Sequence, residues 1–164
     1  MSIAITDDHR ALAETAASFL ENRDAIGSAR ELLESSDEAL PALWDELVSL
    51  GWLGLHLPEQ YGGSGFGLEE LVIVVEECGR TVTPGPLVPT VIASAVLNAF
   101  ADDGTKARLL PGLADGSITA GVGLAGDLSI ADGTASGAAG TVLGGGQPEI
   151  LLVGAGDDVV VVQM

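Results

Sequence analysis

Few residues in this chain belong to types that carry out chemistry. His9 and His56 are the only histidines, Cys78 is the only cysteine, and the acids Glu69/Glu70 and Glu76/Glu77 come as adjacent pairs. Neither histidine sits at a metal-ligand spacing such as H-E-x-x-H or C-x-x-C, so a metal centre is not expected. No serine lies in a G-x-S-x-G elbow, and no G-x-x-x-x-G-K-[ST] loop occurs, which leaves nucleophilic and P-loop chemistry without support. Adjacent glutamates on a helix point in different directions, so the acid pairs read as solvated helix faces rather than an acid–base couple. One glycine pattern remains. "ITAGVGLAGD" places Gly121, Gly123 and Gly126 in the spacing G-x-G-x-x-G. That spacing grips a diphosphate only where a strand feeds a tight turn into a helix N-terminus. The following "DLSIADGTASGAAG" has no helical apolar spacing and no helix start signal, so these glycines are expected in or beside a strand. A helix directly after them, with a parallel neighbouring strand, would contradict that reading.

The elements that must position these residues divide the chain in two. More than half of the 23 glycines lie beyond Gly112, and the last basic residue is Arg108. A boundary near residue 115 therefore separates a helical part, 1–115, from a β part, 116–164. Thr6 caps a first helix with Asp7 and Asp8 in its opening turn and Leu12, Ala16, Phe19 and Leu20 on one face. Pro41 opens a later helix carrying Leu40, Leu43, Trp44, Leu47 and Leu50, and Gly51 stops it. "LPEQYGGSGFG" breaks regular structure. In "LEELVIVVEECGR" the β-branched run Val72–Val75 could be a buried strand, but the flanking glutamates favour a helix, with Gly79 as its stop. Pro89 starts another helix, and a short one covers "GTKARLLPGLADG". "SITAGVGLA", "GTVLGG", "EILLVGA" and "DVVVVQM" read as strands between Gly and Asp turns. The sheet would end at Met164 with an open apolar edge, so the chain is expected to be a fragment or to be completed by another polypeptide.

Composition narrows the partners. With 164 residues and 47% hydrophobic content the chain suits one folded unit. Six Lys and Arg against 24 Asp and Glu give a net charge of −18, which disfavours nucleic acid and anionic membranes. No apolar run approaches a membrane span, and the acidic N-terminus lacks the pattern of a secretory signal. Cys78 in its apolar setting reads as a small core residue in a reducing compartment, so a cytoplasmic location is expected.

"LWDELVSLGWLGLHLPEQYGGSGFGLEELVIVVEECGR", followed by "PGPLVPT" and "GTKARLLPGLADGSITAGVGLAG", resembles the N-terminal part of an acyl-CoA dehydrogenase. The order of the pieces carries the resemblance: apolar helix, L-P-E-x-Y-G-G-x-G loop, E-E-x-G-R helix end, prolines, K-x-R-x-L-P-x-L-A-x-G helix, then strand. "DGTASGAAGTVLGGGQPEILLVGAGDDVVVV" is similar to the family's following β segment. The implied fold is α+β: an N-terminal all-α helical bundle followed by the first strands of a β-barrel-like middle domain. The family's C-terminal four-helix domain has no counterpart in this sequence.

The resemblance implies oxidation of an acyl-CoA thioester to the 2,3-enoyl product, with a hydride passed to FAD. The family's base is a carboxylate in the C-terminal part, so no residue here is assigned as catalytic. By place, Val122, Leu124 and Ala125 fall on the family's flavin-contacting strand, with Ala125 where a Thr or Ser is usual and Gly126 where the Glu is usual. The missing hydroxyl removes a hydrogen bond worth about 1 kcal/mol. FAD is therefore expected to be held mainly by a partner chain or by the missing region, and a non-catalytic partner subunit is the alternative role. "GRTVTPGPLVPT" looks most like the branch assembled from two unlike halves that resembles actinobacterial steroid side-chain enzymes. That implies a bulky acyl-CoA and a homologous subunit in a homo- or heterotetramer. Leu87, Val88, Val91 and Ser94 are the implied substrate-binding residues. The small residues Ala93, Ser94 and Ala95 suit either a roomy pocket wall or tight helix packing, and on the first reading Ser94→Phe is expected to weaken acyl-CoA binding without unfolding the chain.

Overall fold

The computed structural model describes residues 5–35, 39–123, 125–144, 146 and 148–164. Six helices precede five short strands among the described residues.

Helix α1 spans Asp7–Asn22 and opens on a reciprocal cap: Thr6 Oγ1 accepts the His9 N–H at 3.1 Å, while the Thr6 N–H points to His9 Nδ1 at 3.4 Å. Its apolar face buries Ala16 and Leu20, with Leu12 and Phe19 packed beside them. Phe19 meets Trp52 edge to face at 5.5 Å, a favoured aromatic geometry. Helix α2, Ala25–Glu34, is capped by Asp24, whose carboxylate accepts the Gly27 N–H. The sequence reading assigned nothing there, because α2 buries only Ala25 and leaves Ile26 and Leu33 in solvent.

Helix α3, Trp44–Ser49, is shorter than its apolar spacing predicts. Leu43, Trp44 and Leu47 are buried, whereas Leu40 and Leu50, expected on the same face, are exposed. Gly51 closes α3 at φ +73°, as its type requires. Two short 3₁₀ turns, Trp52–Gly54 and Glu59–Tyr61, then carry the chain through the glycine-rich loop. Helix α4, Leu68–Arg80, settles the ambiguous β-branched run as helix, with Leu71, Val74 and Cys78 buried four or three residues apart. Gly79 does not stop it: α4 runs through that glycine, and Val82 takes the positive φ, +50°.

Helices α5, Leu87–Phe100, and α6, Asp103–Ala114, complete the helical part. Strand β1, Ala120–Gly123, follows directly and is buried along its whole length. The chain then forms a hairpin of β2, Asp127–Ala131, and β3, Thr134–Ala138, joined by Asp132 and Gly133. Both turn residues have positive φ, the conformation that a tight two-residue hairpin turn needs. Strands β4, Ile150–Ala155, and β5, Asp158–Gln163, return to β1 to give the order β1-β4-β5, parallel then antiparallel. The predicted strand over "GTVLGG" reduces, among the described residues, to one bridge between Leu143 and Val122.

Two apolar cores result. One lies among α1, α3, α4 and the start of α5; the other joins Leu57, α5 and α6 to β1 and β4. The second core crosses the composition boundary near 115. Thr90 on α5 ties it together, because its buried Oγ1 accepts the Ala120 N–H at 3.2 Å.

Candidate functional site

The sequence-predicted residues fall on two adjoining elements, the first half of α5 and the strand β1. On α5, Leu87, Val91 and Ser94 are buried and Val88 is half-buried against the first core. Ala93 and Ser94 have no exposed surface, so at these two positions the small side chains serve close packing. Ser94 Oγ lies 3.1 Å from the Val91 carbonyl oxygen and 3.1 Å from His56 Nε2. A hydroxyl has one proton, and the carbonyl can only accept it. His56 Nε2–H therefore donates to Ser94 Oγ, which leaves His56 Nδ1 a bare acceptor with no partner among the described residues. A serine beside a histidine suggests a nucleophile, but here the hydroxyl proton is committed to the helix backbone and both side chains are closed off from solvent. The pair is structural.

Burial pushes the His56 imidazole below its ordinary value of 6.5. The unfolded chain therefore binds a proton that the folded chain resists. Stability is full above pH 6.5 and falls as the pH drops from there toward the folded-state value. The unfolding midpoint at pH 5.5 is expected to fall further below its pH 7.5 value in the wild type than in His56→Gln, which has no such proton. Equal shifts would show that His56 is not the group responsible.

Strand β1 carries the glycines. Gly121 and Gly123 pair in register with Leu151 and Val153 of the parallel β4, and Gly126 leads into the β2–β3 hairpin. A parallel neighbour is thus present. The helix is not, so no helix N-terminus faces these glycines and a diphosphate grip has no donors to use. Val122 directs its backbone to the other edge of β1, where its N–H and carbonyl both bond to Leu143, each at 2.9 Å. Ala125, expected on the strand, lies instead beyond the end of β1 where the chain bends toward β2, and the predicted contact Leu124 lies outside the described residues. Glu149 secures the start of the sheet: burial acts to raise its pKa, but the Thr119 hydroxyl and N–H, each 2.6 Å away, hold the carboxyl below its usual range.

Two clefts lie elsewhere, around the N-terminal ends of α1 and α4. One, of 370 Å³, is lined by Thr6, Leu12, Leu55 and Phe66; its neighbour, of 280 Å³, by Ile5, Leu68 and Val72, with His9 shared. Neither contains a residue predicted for the site. His9 Nε2 meets Glu70 Oε1 there at 3.2 Å. Backbone N–H groups of Glu70 itself and of Gly67, with His9 beside them, hold the Glu70 carboxyl below its usual range. Glu70 is therefore an N-terminal cap of α4 tied to the cap of α1, not a freely solvated acid as expected. Cys78 is buried and its thiol is pushed up to about 11, which makes it the inert core residue that its setting predicted. Among the described residues no acid, histidine or cysteine cluster could hold a metal, and no helix is long and apolar enough to cross a membrane.

Known proteins share this arrangement. The family described as "Acyl-CoA dehydrogenase, N-terminal domain" matches residues 6–117. Acyl-CoA dehydrogenase FadE12 of Mycobacterium tuberculosis is 36% identical over 119 residues, covering 70% of this chain and 29% of that protein. A variant of the Tcur3481-Tcur3483 steroid ACAD superposes with a TM-score of 0.82 at 28% identity, covering 98% of this chain and 49% of that one. The ChsE4-ChsE5 complex from Mycobacterium tuberculosis shares the fold at a TM-score of 0.80 and 21% identity, over 99% of this chain and 49% of that one. The chain thus spans less than a third of the curated relative and about half of each solved chain. The ordered helices, the glycine loop between them and the strand that follows are those of one family: this chain belongs to the acyl-CoA dehydrogenases.

Proposed function

We propose that this chain supplies the N-terminal helical domain, 1–115, and the opening strands of the middle β domain, 116–164, to an assembly that oxidises an acyl-CoA thioester to its 2,3-enoyl product with FAD as cofactor. The observation that carries this is the union of α5 with β1 through the Thr90 Oγ1 to Ala120 N–H bond and a shared core, which packs the two predicted site elements against each other. The proposed stretch flanking the acyl group is the first half of α5. Val88 offers it partly exposed surface, while Leu87, Val91 and Ser94 fix the helix from behind. A bulky, ring-bearing acyl group such as a steroid side-chain thioester is the proposed substrate, and a homologous subunit the proposed partner. The likeness to a steroid ACAD named for two gene products supports both. No residue of this chain is assigned as the base. A second reading, a partner subunit that shapes the pocket without holding flavin, is favoured by the engagement of both Val122 backbone groups with Leu143.

The test uses the protein together with any chain that copurifies. Val88→Phe is expected to weaken binding of a steroid side-chain acyl-CoA about tenfold, roughly 1.4 kcal/mol, with the unfolding midpoint unchanged. An unaltered dissociation constant in the folded variant removes α5 from the pocket. Absence of any acyl-CoA oxidation by the native assembly sinks the enzymatic reading itself.

A further inference from the structure

The fold family uses FAD, and the strand that would face the isoalloxazine can be tested for fit residue by residue. We infer that β1 of this chain is sealed by the chain's own segment 139–144 and seats no flavin, so that any FAD of the assembly is held elsewhere.

Burial is the first argument. A strand that seats a planar ring must present an open face to it. All four residues of β1 are instead buried. Ala120 and Val122 belong to the core shared with α5 and α6. Gly121 and Gly123 face the opposite way, and that side is closed too. A Cβ placed on Gly121 would lie 2.7 Å from Leu151 Cδ2 and 3.1 Å from Val142 Cγ1; one on Gly123 would lie 3.0 Å from the Ala139 carbonyl oxygen and 3.1 Å from Val142 Cγ2. One added carbon at either glycine would force its neighbours to shift. A stacked ring needs a clear layer of about 3.5 Å above the backbone, the contact distance between carbon atoms. Val142 occupies that layer at both glycines.

Hydrogen-bonding capacity is the second argument. The Val122 N–H and carbonyl, free to meet a ring if that edge were open, are both bonded to Leu143. Residues 120–126 carry no side-chain donor or acceptor at all. The residue next to Leu143 is pinned as well. Gly144 sits at φ +70° with its α-carbon so close to α5 that a Cβ would come within 2.6 Å of Pro89 Cγ. The seal is therefore held at its C-terminal end twice over, by the bridge from Leu143 to Val122 and by the contact of Gly144 with α5.

This inference rests on the family reading of β1 but not on the activity. It is tested on the protein with any copurifying chain, by following amide hydrogen exchange as FAD is added while flavin fluorescence reports binding. The amides of Val122 and Leu143 are expected to exchange within about twofold of their rates without FAD, whether FAD binds elsewhere in the assembly or not at all. A slowing of about tenfold or more across residues 120–126 or 139–144 on adding FAD overturns the inference. Val142→Ala trims the seal without removing the Leu143 bridge, and it too is expected to leave those rates unmoved by FAD. Loss of acyl-CoA oxidation would defeat the proposed function and leave this readout unaffected.

Discussion

Ser94→Phe is expected to destabilise the chain by about 4 kcal/mol, the sum of overpacking a closed core and stripping a buried partner from its hydrogen bond. Ser94 has no exposed surface, and its Oγ receives the His56 Nε2–H at 3.1 Å. A phenyl ring has nowhere to go but into His56 and the facing apolar side chains, and it leaves the imidazole with both nitrogens unpartnered. In a protein of this size that amounts to a fall in melting temperature of about 8–16 °C. This expectation replaces the one drawn from the sequence, that a larger residue would block ligand and spare the fold, because Ser94 is fully buried. Ser94→Ala separates the two components, since it removes the hydroxyl without adding volume and should cost only about 1–2 kcal/mol. A Phe variant that melts with the wild type would mean that α5 can move away from His56.

Gly63→Ala is expected to be as damaging for a different reason. A Cβ at Gly63 would sit on the carbonyl oxygen and carbon of Leu57, which are backbone atoms that cannot rotate aside. The loop is stitched to that same segment by bonds from Gly65 N to Leu57 O and from Phe66 N to Leu55 O, both 2.9 Å. Relieving the clash means breaking them, and with them the approach to α4. A loss of about 3 kcal/mol or more follows, at the high end for a single substitution. Urea denaturation of the variant, with its midpoint compared to the wild type, reads this directly. The neighbouring Gly65, at φ +69° but with only the flexible Glu59 side chain near its missing Cβ, should suffer less on the same change. Similar losses at both positions would show that conformational freedom, not space, governs the loop.

These two sites also show where sequence and structure part. Helix α1 was legible from Thr6 and its apolar face, and α4 from the glutamates flanking its β-branched run. Helix α5 was read from Pro89, although it begins two residues earlier at Leu87. Helix α2 was not legible, because Ala25 is its only buried residue while Ile26 and Leu33 face solvent, so its pattern barely reports a core. The hairpin of β2 and β3 was also missed. Its strands are short and nearly all exposed, and the alternation of Leu128 and Ile130 is too brief to mark a strand, though the Asp132-Gly133 pair was a turn signal in plain view. For the site, the glycine strand was placed correctly as a strand without a following helix. Its closure was invisible, since Val142 lies some twenty residues away and nothing local indicates that it folds back over Gly121.

The core that joins α5 and α6 to β1 and β4 also bears on how such a protein can be divided. Composition invites a cut near residue 115, yet a polypeptide ending there would lay bare Leu109, Leu110 and Leu113 together with the inner side of α5. Recombination or gene fission at that point would thus yield two sticky pieces rather than two modules. A lineage that rearranges this architecture has reason to keep its breakpoints beyond the sheet.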